Sequence, residues 1–167
     1  MHPAFATVTF QLRDLAAEHE TFVAAEQSNL KDLAAGDMVA RWVAKTARAS
    51  AVESLFTGME AILKTILGVL NEQVYQTKGK NEQHQFHTQL IAQAALGTDT
   101  RPPLISNDLR LKLDQLRKFR HVERNTYGHS LDGERVEDVV ATAFDTSRQF
   151  QLEITDFLSA MSVKPPS

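Results

Sequence analysis

MVARWVAKTARASAVESLFTGMEAILKTILGVLN, residues 38–71, places apolar side chains at Trp42, Val52, Leu55, Phe56, Met59, Ile62, Leu63, Ile66, Leu67 and Leu70. These positions recur at three- and four-residue steps, the period of a helix that buries one face. The alternating β-branched runs that would mark a strand are missing here and along the rest of the chain. A helix this long and this apolar on one side needs other helices to cover it, so the expected fold is an all-α bundle of four or five helices.

The flanking segments fit that plan. Upstream, Phe5, Val8, Leu12, Leu15, Phe22, Leu30 and Leu33 mark a first helix over about 4–35, closed by Gly36 and followed by Asp37 as the next N-cap. Both long helices exceed the usual globular length, so each is expected to bend or break somewhere. Downstream, the polar stretch QTKGKNEQ (76–83) reads as a mobile loop, and a shorter helix follows over about 83–95. The segment 97–103, GTDTRPP, is not helical throughout, because proline lacks the amide and restricts its predecessor. Ser106, Asn107 and Asp108 offer caps for a fourth helix over about 108–126. Asp132 is a cap for a fifth over about 133–161, with a stripe that includes Val136, Val139, Val140, Phe144, Ile154, Phe157 and Leu158. Residues 1–162 read as one domain, with a frayed tail over 163–167.

The 167 residues carry a formal net charge of −3 and no cysteine. Without cysteine there is no disulfide framework, no thiolate metal site and no thiol nucleophile. No apolar run is long enough to span a membrane, and the N-terminus does not resemble a secretory signal, so a cytoplasmic protein is expected. The charge is unevenly spread. LRLKLDQLRKFRHVER (109–124) has six Lys and Arg against Asp114 and Glu123, a local +4 that leaves −7 for the remainder. Concentrated positive charge of this kind suits phosphate recognition.

Chemistry concentrates just beyond, in RKFRHVERNTYGHSLD (117–132). Arg117, Arg120 or His121, and Arg124 fall on one helical face, and Tyr127-Gly128 marks the helix end. Guanidinium, imidazole and phenol groups gathered there are what in-line phosphodiester cleavage requires: cations for the charge on phosphorus and a titratable group to move the 2′-hydroxyl proton.

These residues resemble the Arg-x4-His-x-Tyr signature of HEPN-superfamily ribonucleases, and of HepT-like toxins in particular. SLFTGMEAILKTIL, QFHTQLI and the block RPPLISNDLRLKLDQLRKFRHVERNTYGHSLDGERV carry the likeness over about residues 38–140. The resemblance implies a homodimeric helical toxin with the motifs of two protomers facing one cleft. It implies a metal-independent endoribonuclease acting on RNA, whether tRNA or mRNA, with no cofactor. It also implies a nucleotidyltransferase antitoxin of the MNT type, which in some pairs attaches AMP to the motif tyrosine, here Tyr127.

The motif departs from the family pattern at one position. Aligned on Tyr127 it reads Arg120-x4-Asn125-x-Tyr127, with asparagine in the histidine's place. Asparagine exchanges hydrogen bonds but does not shuttle protons near neutral pH. A second frame runs from Arg124 to His129, and His121 beside Arg120 is a third imidazole. Three expectations follow: activity moved to His129 or His121, a disarmed chain, or a binding-only helical module whose partner is a nucleotidyltransferase. A further alternative is an accessory domain whose basic cluster holds a nucleotide triphosphate.

Plainer readings stand beside these. The basic stripe is also what a solvated helix face looks like, and Tyr127 also fits a packing residue at a helix end. Glu60, inside the apolar stripe of Phe56, Met59 and Leu63, is either a surface position or partly buried beside an arginine of the basic helix. His84 and His87 stand three apart but lack the carboxylate company of a metal site, and His87 reads better as a packing or cleft residue. Trp42, Phe56 and Phe157 read as core.

Overall fold

The computed structural model describes residues 5–72, 74, 82–125 and 133–163, without the side chains of 82–84, 121–125, 133 and 163. All of its regular structure is helical among those residues, as the periodicity predicts. The order is α1 (Ala6–Ala25), a π-helical turn (Glu26–Leu30), α2 (Lys31–Ala34), α3 (Met38–Val69), α4 (Glu82–Ala94), α5 (Asn107–Asn125) and α6 (Gly133–Val163). The predicted loop over 76–83 falls outside the described residues up to 81, as do the Asp132 cap and tail residues 164–167.

The first predicted helix is interrupted where its apolar period changes. Val8, Leu15 and Phe22 are buried at seven-residue intervals, but the next buried side chain, Leu30, comes eight residues later. The π turn absorbs the extra residue, since its wider loop resets the face without leaving right-handed helical geometry. Gly36 then ends the segment. A Cβ there would lie 2.8 Å from the Ala40 side chain, so the close approach of the two helix ends requires glycine. Asp37 caps α3 as predicted, its Oδ1 accepting the Ala40 amide at 2.9 Å.

α3 runs through 32 residues without interruption, about 48 Å at 1.5 Å per residue. It packs against α1, α4, α5 and α6, which explains why its buried face is so broad. Phe56, Met59, Ile62, Leu63 and Ile66 are fully enclosed, together with Leu90, Leu109, Leu113, Phe150 and Ile154 from the other helices. Its C-terminus closes with Asn71 in the left-handed region (φ 56°). The Glu72 amide reaches the Leu67 carbonyl at 2.8 Å and the Asn71 amide the Gly68 carbonyl at 3.1 Å, the paired bonds of a Schellman cap.

Trp42 corrects the sequence reading: it is 44% exposed, whereas Phe56 and Phe157 are core as expected. The first buried residue of α3 is Ala44, so the helix enters the core only after its first two turns. Trp42 instead lines a groove of about 590 Å³ with Met38, Val39, Lys45, Val136 and Glu137. Just beneath, the buried Arg48 joins three elements. Its Nε donates to Glu26 Oε2 of the π turn at 2.9 Å and its NH1 to Glu137 Oε1 of α6 at 3.0 Å. The hydrogen bond it donates to Glu26 leads the causes that hold this guanidinium above its ordinary pKa, against the opposing effect of burial.

The link between α4 and α5 is organised around a second buried arginine, Arg101. Its Nε and NH2 grip Glu72 Oε1 and Oε2, each at 2.6 Å, while NH1 donates to the carbonyls of Leu96 (2.7 Å) and Pro102 (3.1 Å). The hydrogen bonds from Arg101 hold the Glu72 carboxyl below its ordinary value of 4.5. Ser106 then caps α5, accepting the Leu109 amide at 3.1 Å, and Glu153 of α6 receives the Ser106 amide and hydroxyl at 2.6 and 2.8 Å. These contacts fix where α5 starts, and therefore where its basic second half lies.

Candidate functional site

The site begins with a single face of α3. Glu53, Phe56 and Glu60 follow one another at three- and four-residue steps, so two carboxylates flank one aromatic ring over two helical turns. α4 and α5 both pack on α3 and on each other, and they bring His87 and Arg120 to this face.

Glu60 is the centre. Only 7% exposed, it is a carboxylate inside an apolar stripe, which is costly unless its oxygens are answered. They are: His87 Nδ1 lies 2.6 Å from Oε1 and Arg120 NH1 lies 3.6 Å from Oε2. The expectation that Glu60 is partly buried beside an arginine of the basic helix therefore holds, and that arginine is Arg120. Its Nε donates to Glu53 Oε1 at 3.1 Å, NH1 approaches His87 Nε2 at 3.4 Å, and the guanidinium carbon lies 5.8 Å from the centre of the Phe56 ring. Two carboxylates, an imidazole and an aromatic face thus fix one cation.

The two contacts divide the ring: Nδ1 faces the Glu60 carboxylate and Nε2 faces the Arg120 guanidinium, and 24% of the His87 side-chain surface is open.

The rest of the basic segment is less free than its charge suggests. Lys112 bonds Asp145 of α6 at 2.6 Å and Asp108 at 3.1 Å, and the hydrogen bond to Asp145, ahead of that to Asp108, raises its ammonium above the ordinary pKa. Arg117 is buried and lies 2.8 Å from Asp114 Oδ1; Lys118 takes the same carboxylate's Oδ2 at 2.9 Å. Burial pushes Asp114 up, yet the hydrogen bonds from Lys118 and Arg117 carry it below its ordinary value. The local +4 is thus answered in part by acids of α3 and α6 and in part within α5, and much of it does not stand as an open cationic stripe.

Of the residues singled out in the sequence, Arg120 and Glu60 are brought together, and Arg117 is engaged by Asp114 one helical turn before it. The α5 backbone extends through His121, Arg124 and Asn125, placing Arg124 one turn beyond Arg120 on the same face. The side chains of these three, and all of Tyr127 and His129, lie outside the described residues. Glu53 and His87 were not among the predicted site residues. The seven-residue spacing of Glu53 and Glu60, which puts both on one side of the same helix, was the signal available for the first. For His87 there was only its place in a cleft-facing segment. Among the described residues no group of three or more His, Asp and Glu side chains is arranged to hold a metal ion.

A family model described as HepT-like protein matches residues 47–161, well over half of the chain. The matched span contains Glu53, Glu60, His87 and Arg120 and leaves out α1, α2 and Trp42. No curated protein and no solved structure matches.

Proposed function

The chain belongs to the HepT-like family, and from that premise we propose that it is the toxin of a HEPN/MNT toxin–antitoxin pair and cleaves RNA as a metal-independent endoribonuclease. The observation that carries this reading is the convergence of α3, α4 and α5 on one arginine, Arg120, oriented by Glu53, Glu60 and His87 within the family-matched span. A guanidinium held from several sides loses little entropy on meeting a phosphate, and it is placed to stabilise charge that grows on phosphorus.

The reaction is attack of a ribose 2′-oxygen on the adjacent phosphate. It leaves a 2′,3′-cyclic phosphate, or the 3′-phosphate formed from it, and a free 5′-hydroxyl. Arg120 neutralises the equatorial oxygens, with Arg124 one turn on as a second cation. Asn125, Tyr127, His121 and His129 complete the motif region as hydrogen-bonding or proton-transfer groups. Two copies of the chain, with their motif regions facing one cleft, form the working unit, and a cytoplasmic nucleotidyltransferase that adenylylates Tyr127 silences it.

Arg120→Ala tests the reading. It should abolish growth arrest and reduce RNA cleavage about 10²–10³-fold, the scale for losing one transition-state donor. A variant that folds and remains fully toxic overturns it. Intact mass of the chain produced with its neighbouring genes should show one adenylyl group on Tyr127. Light scattering should give the mass of a dimer.

Asn125 favours one other reading: a helical module that binds a nucleotidyltransferase and no longer cuts RNA. Asn125→His separates the two. A large gain in cleavage marks a disarmed nuclease, and no gain in a folded variant that still binds its partner marks a binding module.

A further inference from the structure

The signature position that supplies the proton-transfer group in the family pattern is Asn125 in this chain, and an amide cannot fill that role. The structure places another imidazole in the same cluster. His87 comes from α4, 38 positions before Asn125 in the sequence, yet it contacts both the buried Glu60 and the site arginine.

We propose that His87 is the proton acceptor of this site, oriented by Glu60 and paired with Arg120, in place of the histidine that the motif lacks. The inference rests on the nuclease reading and adds to it a residue outside the signature.

Three features argue for it. The Glu60–His87 contact of 2.6 Å holds the ring by Nδ1 and turns Nε2 away from the carboxylate, the arrangement by which a carboxylate orients a histidine as a general base. Nε2 faces the cation that would hold the phosphate, so a 2′-hydroxyl beside a phosphate on Arg120 comes within reach of the base. The contact now occupying Nε2, from Arg120 NH1 at 3.4 Å, is long for a hydrogen bond and is readily exchanged for a substrate hydroxyl. Among the described residues the charged groups of the cluster are Glu60, which contacts Nδ1, Arg120, which contacts Nε2, and Glu53, which pairs with Arg120. Lys64 of α3 lies over the neighbouring Phe86 ring at 6.0 Å.

In the step itself, Nε2 takes the 2′-hydroxyl proton as the 2′-oxygen bonds to phosphorus. The bond from phosphorus to the 5′-oxygen breaks, and water protonates the departing oxygen. The imidazolium then returns its proton to the hydroxide so formed. Each proton is accounted for, and no oxidant, reductant or co-reactant beyond water is needed.

The test uses the full chain, a mixed-sequence single-stranded oligoribonucleotide and total tRNA as substrates, and His87→Ala, His87→Gln and Arg120→Ala as variants. Melting curves identify the variants that fold. Both His87 variants should lose about 10²–10⁴-fold in kcat with little change in KM, the range for removing a general base. They should also lose the acidic limb of the rate profile, where activity falls as the base becomes protonated. Imidazole added to the buffer should restore part of the rate of His87→Ala, which a purely structural histidine would not permit. If His87→Gln or His87→Ala cuts at the wild-type rate with an unchanged pH profile while Arg120→Ala is dead, the role of His87 is refuted and the nuclease reading stands. If Arg120→Ala cuts as well as wild type, or the wild-type chain leaves both substrates intact at every pH, both fall together.

Discussion

Replacing Arg101 by methionine removes the buried charge that holds the α4–α5 link while keeping most of its apolar length. The Arg101 side chain is 1% exposed and Glu72 is 19% exposed, so the change strands a largely enclosed carboxylate and uncovers the carbonyls of Leu96 and Pro102. Removing one member of a buried ion pair costs about 3–5 kcal/mol. The partial exposure of Glu72 favours the lower end, about 3 kcal/mol, because solvent compensates part of the stranded charge. For a chain of 150–250 residues each kcal/mol moves the melting temperature by about 2–4 °C, so Arg101→Met should melt roughly 6–12 °C lower at neutral pH. Calorimetry and urea titration provide the assay. Arg101→Met combined with Glu72→Gln should recover part of the loss, since no unpaired charge is then left inside. The pH dependence has a definite sign. Glu72 titrates below its ordinary 4.5 in the folded state because Arg101 hydrogen-bonds the carboxylate. The stabilisation is therefore complete above pH 4.5 and disappears as the pH falls through the folded value, so the gap between wild type and Arg101→Met should narrow in acid. A melting loss of less than about 2 °C at neutral pH would refute the reasoning, because it is what an exposed ion pair gives.

Three further outcomes are expected. His19 stacks edge-on against Phe144 at 5.5 Å, and burial, then the charge of Arg148, lowers its pKa below 6.5. The unfolded chain therefore binds its proton first on acidification, so wild type should lose stability as the pH falls below 6.5, and His19→Phe should lose less over the same interval in calorimetry. Phe150 is fully buried, and Phe150→Ala should cost about 3–5 kcal/mol in urea unfolding, the range for deleting an enclosed aromatic ring. Trp42→Ala should change stability by less than about 0.5 kcal/mol, as for an ordinary surface position, and the fluorescence of Trp42 in the wild type should be that of a hydrated indole.

Helices, their approximate ends and their buried faces were legible in the sequence because all three are local properties. The three- and four-residue period reports the face a helix buries, Asp37 and Ser106 satisfy the first amides of α3 and α5, and Gly36 stands where two helix ends meet too closely for a side chain. Glu60 was legible for a related reason: a carboxylate amid Phe56, Met59 and Leu63 must be paired if it is buried. The π turn was readable only as a helix too long to stay regular. The change from seven- to eight-residue spacing at Leu30 gains its meaning once the buried side chains are known.

What the tertiary structure decided is which helices meet, and periodicity carries no information about that. Trp42 has the right period but lines an open groove at the start of α3, so among the described residues it stays half open. The positive charge of α5 is set by sequence, but its effect is set by Asp145, Glu53 and Glu60, which only packing brings near. His87 joins Arg120 from 33 residues away along the chain because α4 and α5 pack on the same side of α3. Sequence by itself determined the elements and the residue types available for phosphate chemistry. The enclosure of Glu60 decided which imidazole and which guanidinium it would hold, because a buried carboxylate must be answered by whichever groups the surrounding helices present.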